Sequence, residues 1–256
     1  TQELKNMEES ILGAEEKLIR LEYEIFCKIR DIIASNAERL LKTAYSLSVM
    51  DVLCSLSEVA DRNLYARPEI TAVCEIDIKE GRHPVVERMP TCPEFMPNDS
   101  FINDSTDKTL IITGPNMSGK STYMRQAALI TIMAHIGSFV PAQSAKIGIT
   151  DKIFTRIGAS DDLAGGKSTF MMDMSELAYI LENATDMSLL ILDEIGRGTS
   201  TFDGLSIAWA VIEYLNETKS LRTLFSTHYH ELTVLEDKFL GVRNYFISAI
   251  KKDKDI

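Results

Sequence analysis

The sequence predicts an α/β chain in which a long α-helical segment, residues 1–66, leads into a P-loop nucleotide-binding domain, residues 67–256. The domain is expected to be a mixed or parallel sheet flanked by helices. Three observations carry this. Apolar residues recur in heptads through the first thirty or so positions. A β-branched run, Thr109 to Thr113, meets a glycine-rich turn and a helical pattern at the phosphate-binding motif G-x-x-x-x-G-K-[ST]. A continuous apolar run, Ser188 to Leu192, ends on the adjacent carboxylates Asp193 and Glu194, as a central parallel strand does.

In the helical segment, Leu4, Ile11, Leu18, Ile25 and Ile32 form one series and Met7, Ala14 and Leu21 a second, interrupted by Lys28. A helix reaching about Ala34 would be roughly 50 Å long. Its stripe needs a second helix, and Ala37 to Asn63, with Leu40, Leu41, Ala44, Leu47, Leu53 and Leu56, supplies a candidate. An antiparallel pair is preferred to a bent continuation. A self-dimerising zipper explains the heptads equally well. The composition changes at Tyr65 to Pro68, where the second domain begins. Thr71 to Ile78 reads as a strand, and Pro90 to Asp107, with three prolines among Asn and Asp clusters, reads as a loop. Phe95 stands in that loop, where it either stacks on a nucleobase or anchors the chain; most aromatics pack.

In the phosphate loop, Gly114 and Gly119 let backbone N–H groups curl round a polyphosphate at a helix N-terminus. Lys120 would reach the outer phosphates, and the Ser121 hydroxyl would take a position on Mg²⁺. The helix from Ser121 ends at Gly137, and a loop with Pro141 and Gln143 leads on to Asp151. Asp151 to Gly158 is a second strand, followed by a polar glycine-rich stretch and a helix from about Met171 to Asn183. Ser168 at that helix start is either an N-cap or a residue facing an anion. Asp193 suits Mg²⁺ and Glu194 suits a general base, a reading favoured over capping because the pair accompanies a phosphate loop. After a helix from about Asp203 to Leu215, the strand Leu221 to Thr227 ends at His228, which is either structural or a hydrogen-bond donor to a γ-phosphate or its water. One or two strands and a charged end complete the chain.

With 45% hydrophobic residues in 256 the chain can bury a full core. A formal net charge of −11 argues against a basic nucleic-acid face on this polypeptide. Cys27, Cys54, Cys74 and Cys92 form no C-x-x-C pair, as expected for thiols in a reducing cytosol without metal. No apolar run is long enough for a membrane span. The chain is expected to be a piece of a larger cytoplasmic protein.

Taken together, GRHPVVE (Gly81 to Glu87), TGPNMSGKSTYMRQ (Thr113 to Gln126), FVPAQ (Phe139 to Gln143), IFTRIGASDDLAGGKSTFMMDMSE (Ile153 to Glu176), LDEIGRGTSTFDG (Leu192 to Gly204) and FSTHYHEL (Phe225 to Leu232) resemble the MutS family of DNA mismatch recognition ATPases. The resemblance implies an ABC-type ATPase domain that binds ATP or ADP with Mg²⁺ and pairs as a homodimer with two composite sites. It implies that Gly114, Pro115, Asn116, Met117, Ser118, Gly119, Lys120, Ser121 and Thr122 wrap the phosphates, with Asn116 near the γ-phosphate. By the same resemblance Phe95 stacks on adenine, Ser168 acts in trans, Glu194 is the general base, His228 the switch histidine and Gln143 the glutamine-loop residue.

The signature stretch GGKSTFMMDMSE departs from the family's commoner Arg before the Ser and VEM after the Met, but Lys167 and Asp173 keep the charge type. The resemblance further implies lever helices before the ATPase domain and mismatched DNA bound by parts outside this chain. It also implies a downstream partner of the MutL type and a cytoplasmic, nucleoid-associated location. The alternative is a nucleotide-gated dimerisation module of a paralogue with little hydrolysis.

Overall fold

The computed structural model describes residues 1–90, 95–116, 118–157, 169–219 and 221–248. The chain divides into two compact units, Thr1–Ser55 and Leu56–Ile256.

The first unit holds α1 (Gln2–Ser35) and the start of α2 (Ala37–Arg62). Only Asn36 separates them, at φ −106° and ψ 6°. Its N–H donates to Ile33 O at 3.1 Å and its carbonyl accepts from Leu40 N–H at 3.0 Å, so helical bonding continues through the joint. A single near-helical residue does not reverse a chain, and the expected antiparallel pair is replaced by the bent continuation. The heptad stripe stays open to solvent, with Leu4 69% and Ile11 68% exposed. Local pairs such as Arg20–Glu24 at 3.1 Å and Lys42–Glu38 at 2.7 Å support the helices, each contributing about 0.2–0.5 kcal/mol.

The second unit is layered around two sheets. One has the order β1 (Glu69–Thr71), β5 (Ser144–Gly148), β2 (Glu75–Gly81), β3 (Asn98–Asn103). Here β2 runs antiparallel to both β3 and β5, whereas β1 and β5 are parallel. The other is parallel throughout, in the order β6 (Ile153–Arg156), β7 (Leu189–Asp193), β8 (Arg222–Ser226), β4 (Asp107–Thr113), β9 (Gly241–Phe246).

Strand alternation sorts the parallel sheet's side chains between two cores. Leu110, Ile112, Leu189, Ile191 and Leu224 share a core with Ile76, Ile78 and Ile102 of the antiparallel sheet and with Met124, Ala127 and Ile130 of α3 (Lys120–His135). Ile111, Leu190, Leu192 and Phe225 pack against Leu177 and Ile180 of α4 (Thr169–Asn183) and Ala208, Ile212 and Leu215 of α5 (Thr201–Thr218). Each fully buried Ile or Leu in these layers contributes about 1.5–3 kcal/mol. A short helix, α6 (Leu235–Lys238), precedes β9.

Three strand expectations are corrected. Thr71 to Ile78 is broken into β1 and β2, because Glu75 N–H turns back to Val73 O at 2.9 Å. Within the expected loop Pro90 to Asp107, β3 pairs Ser100 with Ile78 and Ile102 with Ile76; alternate residues enter the core while the Asn and Asp side chains face out. β5, also read as loop, buries Ala145 and Ile147 between β1 and β2.

Candidate functional site

The parallel strands end on one edge, where β4 delivers the glycine-rich loop, β7 the acidic pair and β8, lying between them, His228. Gly119 is the N-cap of α3 at φ +96°, a left-handed conformation that glycine adopts without a Cβ penalty. It turns the loop so that α3 begins at Lys120. Lys120 is buried and folded back, its Nζ donating to Gly114 O at 2.9 Å and Pro115 O at 3.0 Å. The loop's own carbonyls therefore hold the cation where an anion would otherwise compete for it.

Ser121 Oγ donates to Asp193 Oδ2 at 2.6 Å. Asp193 is 6% exposed, and its Oδ1 is buried without a hydrogen-bond partner. An unpaired buried carboxylate oxygen is costly, and a hydroxyl and a carboxylate are the hard oxygen donors that Mg²⁺ takes alongside substrate phosphates. Among the described residues no group of three or more His, Cys, Asp and Glu is placed to cage a metal. Any ion here would thus need ligand oxygens as well.

Glu194 takes φ +54°, unusual for a non-glycine residue. Its N–H donates to Ser226 O at 3.0 Å across to β8. His228 Nε2 donates to Glu194 Oε1 at 2.9 Å, and Arg197 pairs with Oε2. Both carboxylate oxygens are engaged in this conformation.

Two joined hollows surround these groups. The smaller, about 230 Å³, is lined by Asn116, Gly119, Lys120, Ser121, Thr122 and Glu194. The larger, about 420 Å³, is lined by Phe95 and Met96 ahead of β3, by Phe246 and Ile247 at the end of β9, and by Thr122, Tyr123 and Gln126 of α3. They share Gly119 and Thr122. One is polar and holds Lys120 and the Glu194 carboxylate; the other carries aromatic and aliphatic surface. Tyr123, whose OH donates to Asp99 O at 3.2 Å, has its phenol pushed up to about 12 by burial and stays neutral.

Of the residues expected from sequence, Phe95, Asn116, Ser118, Gly119, Lys120, Ser121, Thr122 and Glu194 line these hollows, and Asp193 and His228 touch residues that do. Gln143 lines neither; it is exposed at the entry to β5, its N–H bonded to Lys79 O at 2.9 Å. Met117 and Ser168 lie outside the described residues. Sequence reasoning assigned no role to Tyr123, Gln126, Arg197, Phe246 or Ile247. Gln126 had a visible signal, a polar residue in the stripe of Tyr123, Ala127 and Ile130. Phe246 and Ile247 had none, since only the β4–β9 pairing brings them beside the loop.

Residues 110–256 match the family model for MutS domain V. Over its whole length the chain is 62% identical to the DNA mismatch repair protein MutS of Acetivibrio thermocellus, spanning 29% of that protein. It is 62% identical to that of Clostridium botulinum (strain Okra / Type B1), spanning 28%, and 61% identical to that of Ruminiclostridium cellulolyticum, spanning 30%. The chain covers less than a third of these relatives.

Proposed function

Because this chain belongs to the MutS family of DNA mismatch repair proteins, we propose that its second unit is a Mg²⁺-dependent ATPase module of ABC type, whose nucleotide state drives dimer closure and couples mismatch binding to later repair steps. The observation that carries the reading is the 2.6 Å bond from Ser121 to Asp193. It joins the phosphate loop to the acidic strand end beside a buried unpaired oxygen, with the base candidate next in sequence. The parallel strand order, which sets His228 between loop and acidic pair, supports the same reading.

In this mechanism the triphosphate lies along the backbone N–H groups at the α3 N-terminus, and Lys120 leaves its loop carbonyls to pair with outer phosphate oxygens. Ser121 and Asp193 would hold Mg²⁺, which when bound neutralises developing phosphate charge. Phe95 stacks on the base, and Asn116 lies near the γ-phosphate. Water attacks the γ-phosphorus, the bond to the ADP oxygen breaks with its electron pair, and Glu194 takes the water's proton while His228 orients the carboxylate. Ser168 serves the nucleotide of a second copy, and Gln143 moves toward the site when the copies close. Mismatched DNA is held by parts of the longer protein outside this chain, and a MutL-type protein reads the closed form. No described helix is long and apolar enough to cross a membrane; membership of a DNA mismatch repair family is what supports a cytoplasmic, nucleoid-associated setting.

The engagement of both Glu194 oxygens by His228 and Arg197 favours a second reading, a nucleotide-gated dimerisation module with little hydrolysis in this chain. Phosphate release and self-association, measured across protein concentration with Mg²⁺ and ATP, separate the two. The ATPase reading expects Lys120→Ala to lose nucleotide binding. It expects Glu194→Ala to retain ATP while turnover falls by about 10²–10⁴-fold. Specific activity should rise with concentration in wild type but not in Ser168→Ala. Unchanged turnover in Glu194→Ala would sink the base assignment; ATP-dependent dimers without phosphate release would establish the second reading.

A further inference from the structure

Gln126 lies on α3 six residues beyond Lys120, fully buried, and lines the larger hollow with Phe95, Phe246 and Ile247. Both its Oε1 and Nε2 are without a hydrogen-bond partner. A carboxamide with a free donor and a free acceptor is costly inside a core, and Gln126 sits on the buried face of α3 among Tyr123, Ala127 and Ile130. The surroundings preserve the arrangement. A Cβ at Gly81 would stand 2.5 Å from Nε2 and 2.8 Å from Ile78 Cγ2, so the glycine keeps room for the amide at the end of β2.

The other polar side chains of the hollow are bonded, exposed or set beside the phosphate loop. Tyr123 is bonded to Asp99 O and the exposed Asn98 from Nδ2 to Met96 O at 2.9 Å, while Ser248 is exposed and Ser118 and Thr122 flank the start of α3. Among the described residues that line the hollow, Gln126 is the buried carboxamide with neither end bonded.

We propose that Gln126 is a specificity-determining residue of this site, its carboxamide pairing with the donor and acceptor edge of the purine of a bound nucleotide. The inference rests on the nucleotide reading and deepens it. An amide set beside adenine offers Oε1 to the exocyclic amino group and Nε2–H to a ring nitrogen, the two-point match that Gln makes with adenine elsewhere. Entry of the base supplies partners to both orphan atoms at once, so the free energy held in the unpaired amide is recovered on binding.

The test measures binding of ATP, purine riboside triphosphate, which lacks the 6-amino group, and inorganic tripolyphosphate to the full chain. Wild type is compared with Gln126→Leu, and with Gln126→Met as a second apolar replacement should the branched side chain impair folding. The expected result is roughly tenfold weaker ATP binding in the variants, the size of one to two hydrogen bonds. Their affinity for tripolyphosphate should be unchanged, and the loss for purine riboside triphosphate smaller than for ATP. Unchanged ATP affinity overturns the proposal, as does an equal loss for tripolyphosphate, which would make Gln126 a support of the cradle. Wild type that binds tripolyphosphate but ATP no better also overturns it and leaves the phosphate site standing. Wild type that binds none of the three refutes the nucleotide reading, and the proposal falls with it.

Discussion

Ser121→Ala removes the one hydrogen bond that Asp193 receives from the phosphate loop and leaves both carboxylate oxygens unpaired at a position only 6% exposed. A bond of 2.6 Å to a buried carboxylate is charge-assisted, worth about 1.5–3 kcal/mol. In a unit of this size each kcal/mol shifts Tm by about 2–4 °C, so the nucleotide-free variant should melt about 3–12 °C below wild type. Asp193→Asn alone removes the charge but keeps a polar partner. The double variant should therefore fall short of the summed single losses by about 1 kcal/mol or more, the signature of direct coupling. The same substitution should change the ligand response. ATP at a hundred times its Kd stabilises wild type by about 2.7 kcal/mol, and the part of that gain requiring Mg²⁺ should vanish in Ser121→Ala. Thermal unfolding with and without Mg²⁺ and ATP reads both effects. A nucleotide-free Tm within 1 °C of wild type, or a Mg²⁺ dependence surviving in the variant, would refute the reasoning.

Gly204→Ala inverts a familiar trend. Alanine ordinarily favours a helix by about 1 kcal/mol, yet a Cβ here would stand 2.2 Å from Tyr229 Oη and 2.3 Å from Gly196 O. Overpacking should dominate, with a net loss of about 1–3 kcal/mol seen as a lower urea midpoint; a stabilised variant would contradict the packing of α5 on the turn after Glu194. His83 is buried, which pushes its imidazole below the ordinary value, and its Nδ1 accepts from Val85 N–H at 3.3 Å and Val86 N–H at 3.2 Å. The folded chain thus resists protonation that the unfolded chain accepts. The stability from neutral His83 is complete above about pH 6.5 and is lost as pH falls below it. Urea midpoints from pH 7.5 to 5 should fall less steeply in His83→Asn, whose side chain retains an acceptor; parallel curves would remove His83 from the acid response.

The local signals that survived in the fold are those whose physics is local. β4, α3, β7 and α5 lie where apolar runs, helical spacing and caps place them; Ser200 caps α5 by accepting from Asp203 N–H at 3.3 Å. Elements that depend on a neighbour were less legible. β3 is rich in Asn, Asp and Ser and becomes a strand because β2 supplies its hydrogen bonds and a core for Ser100 and Ile102. β5 is short and weakly apolar, and it is stabilised by strands on both sides. The heptads of α1 mark an amphipathic helix, but the expected fold-back onto α2 does not form, since periodicity specifies a face and not its partner.

At the site the same division holds. The proposed phosphate and metal chemistry rests on glycine spacing, Lys120, Ser121 and the Asp193–Glu194 pair, which are legible in sequence because backbone reach and ligand type are set by residue identity and short-range geometry. Sequence alone thus determined the α/β class and the glycine turn between β4 and α3. Only the tertiary structure decided that Ser121 meets Asp193, that His228 and Arg197 hold the two oxygens of Glu194, and that Phe246 and Ile247 join Phe95 around Gln126. These meetings depend on the strand order β7-β8-β4-β9. Strand order follows from which faces bury together, a sum over many distant contacts that no local pattern encodes.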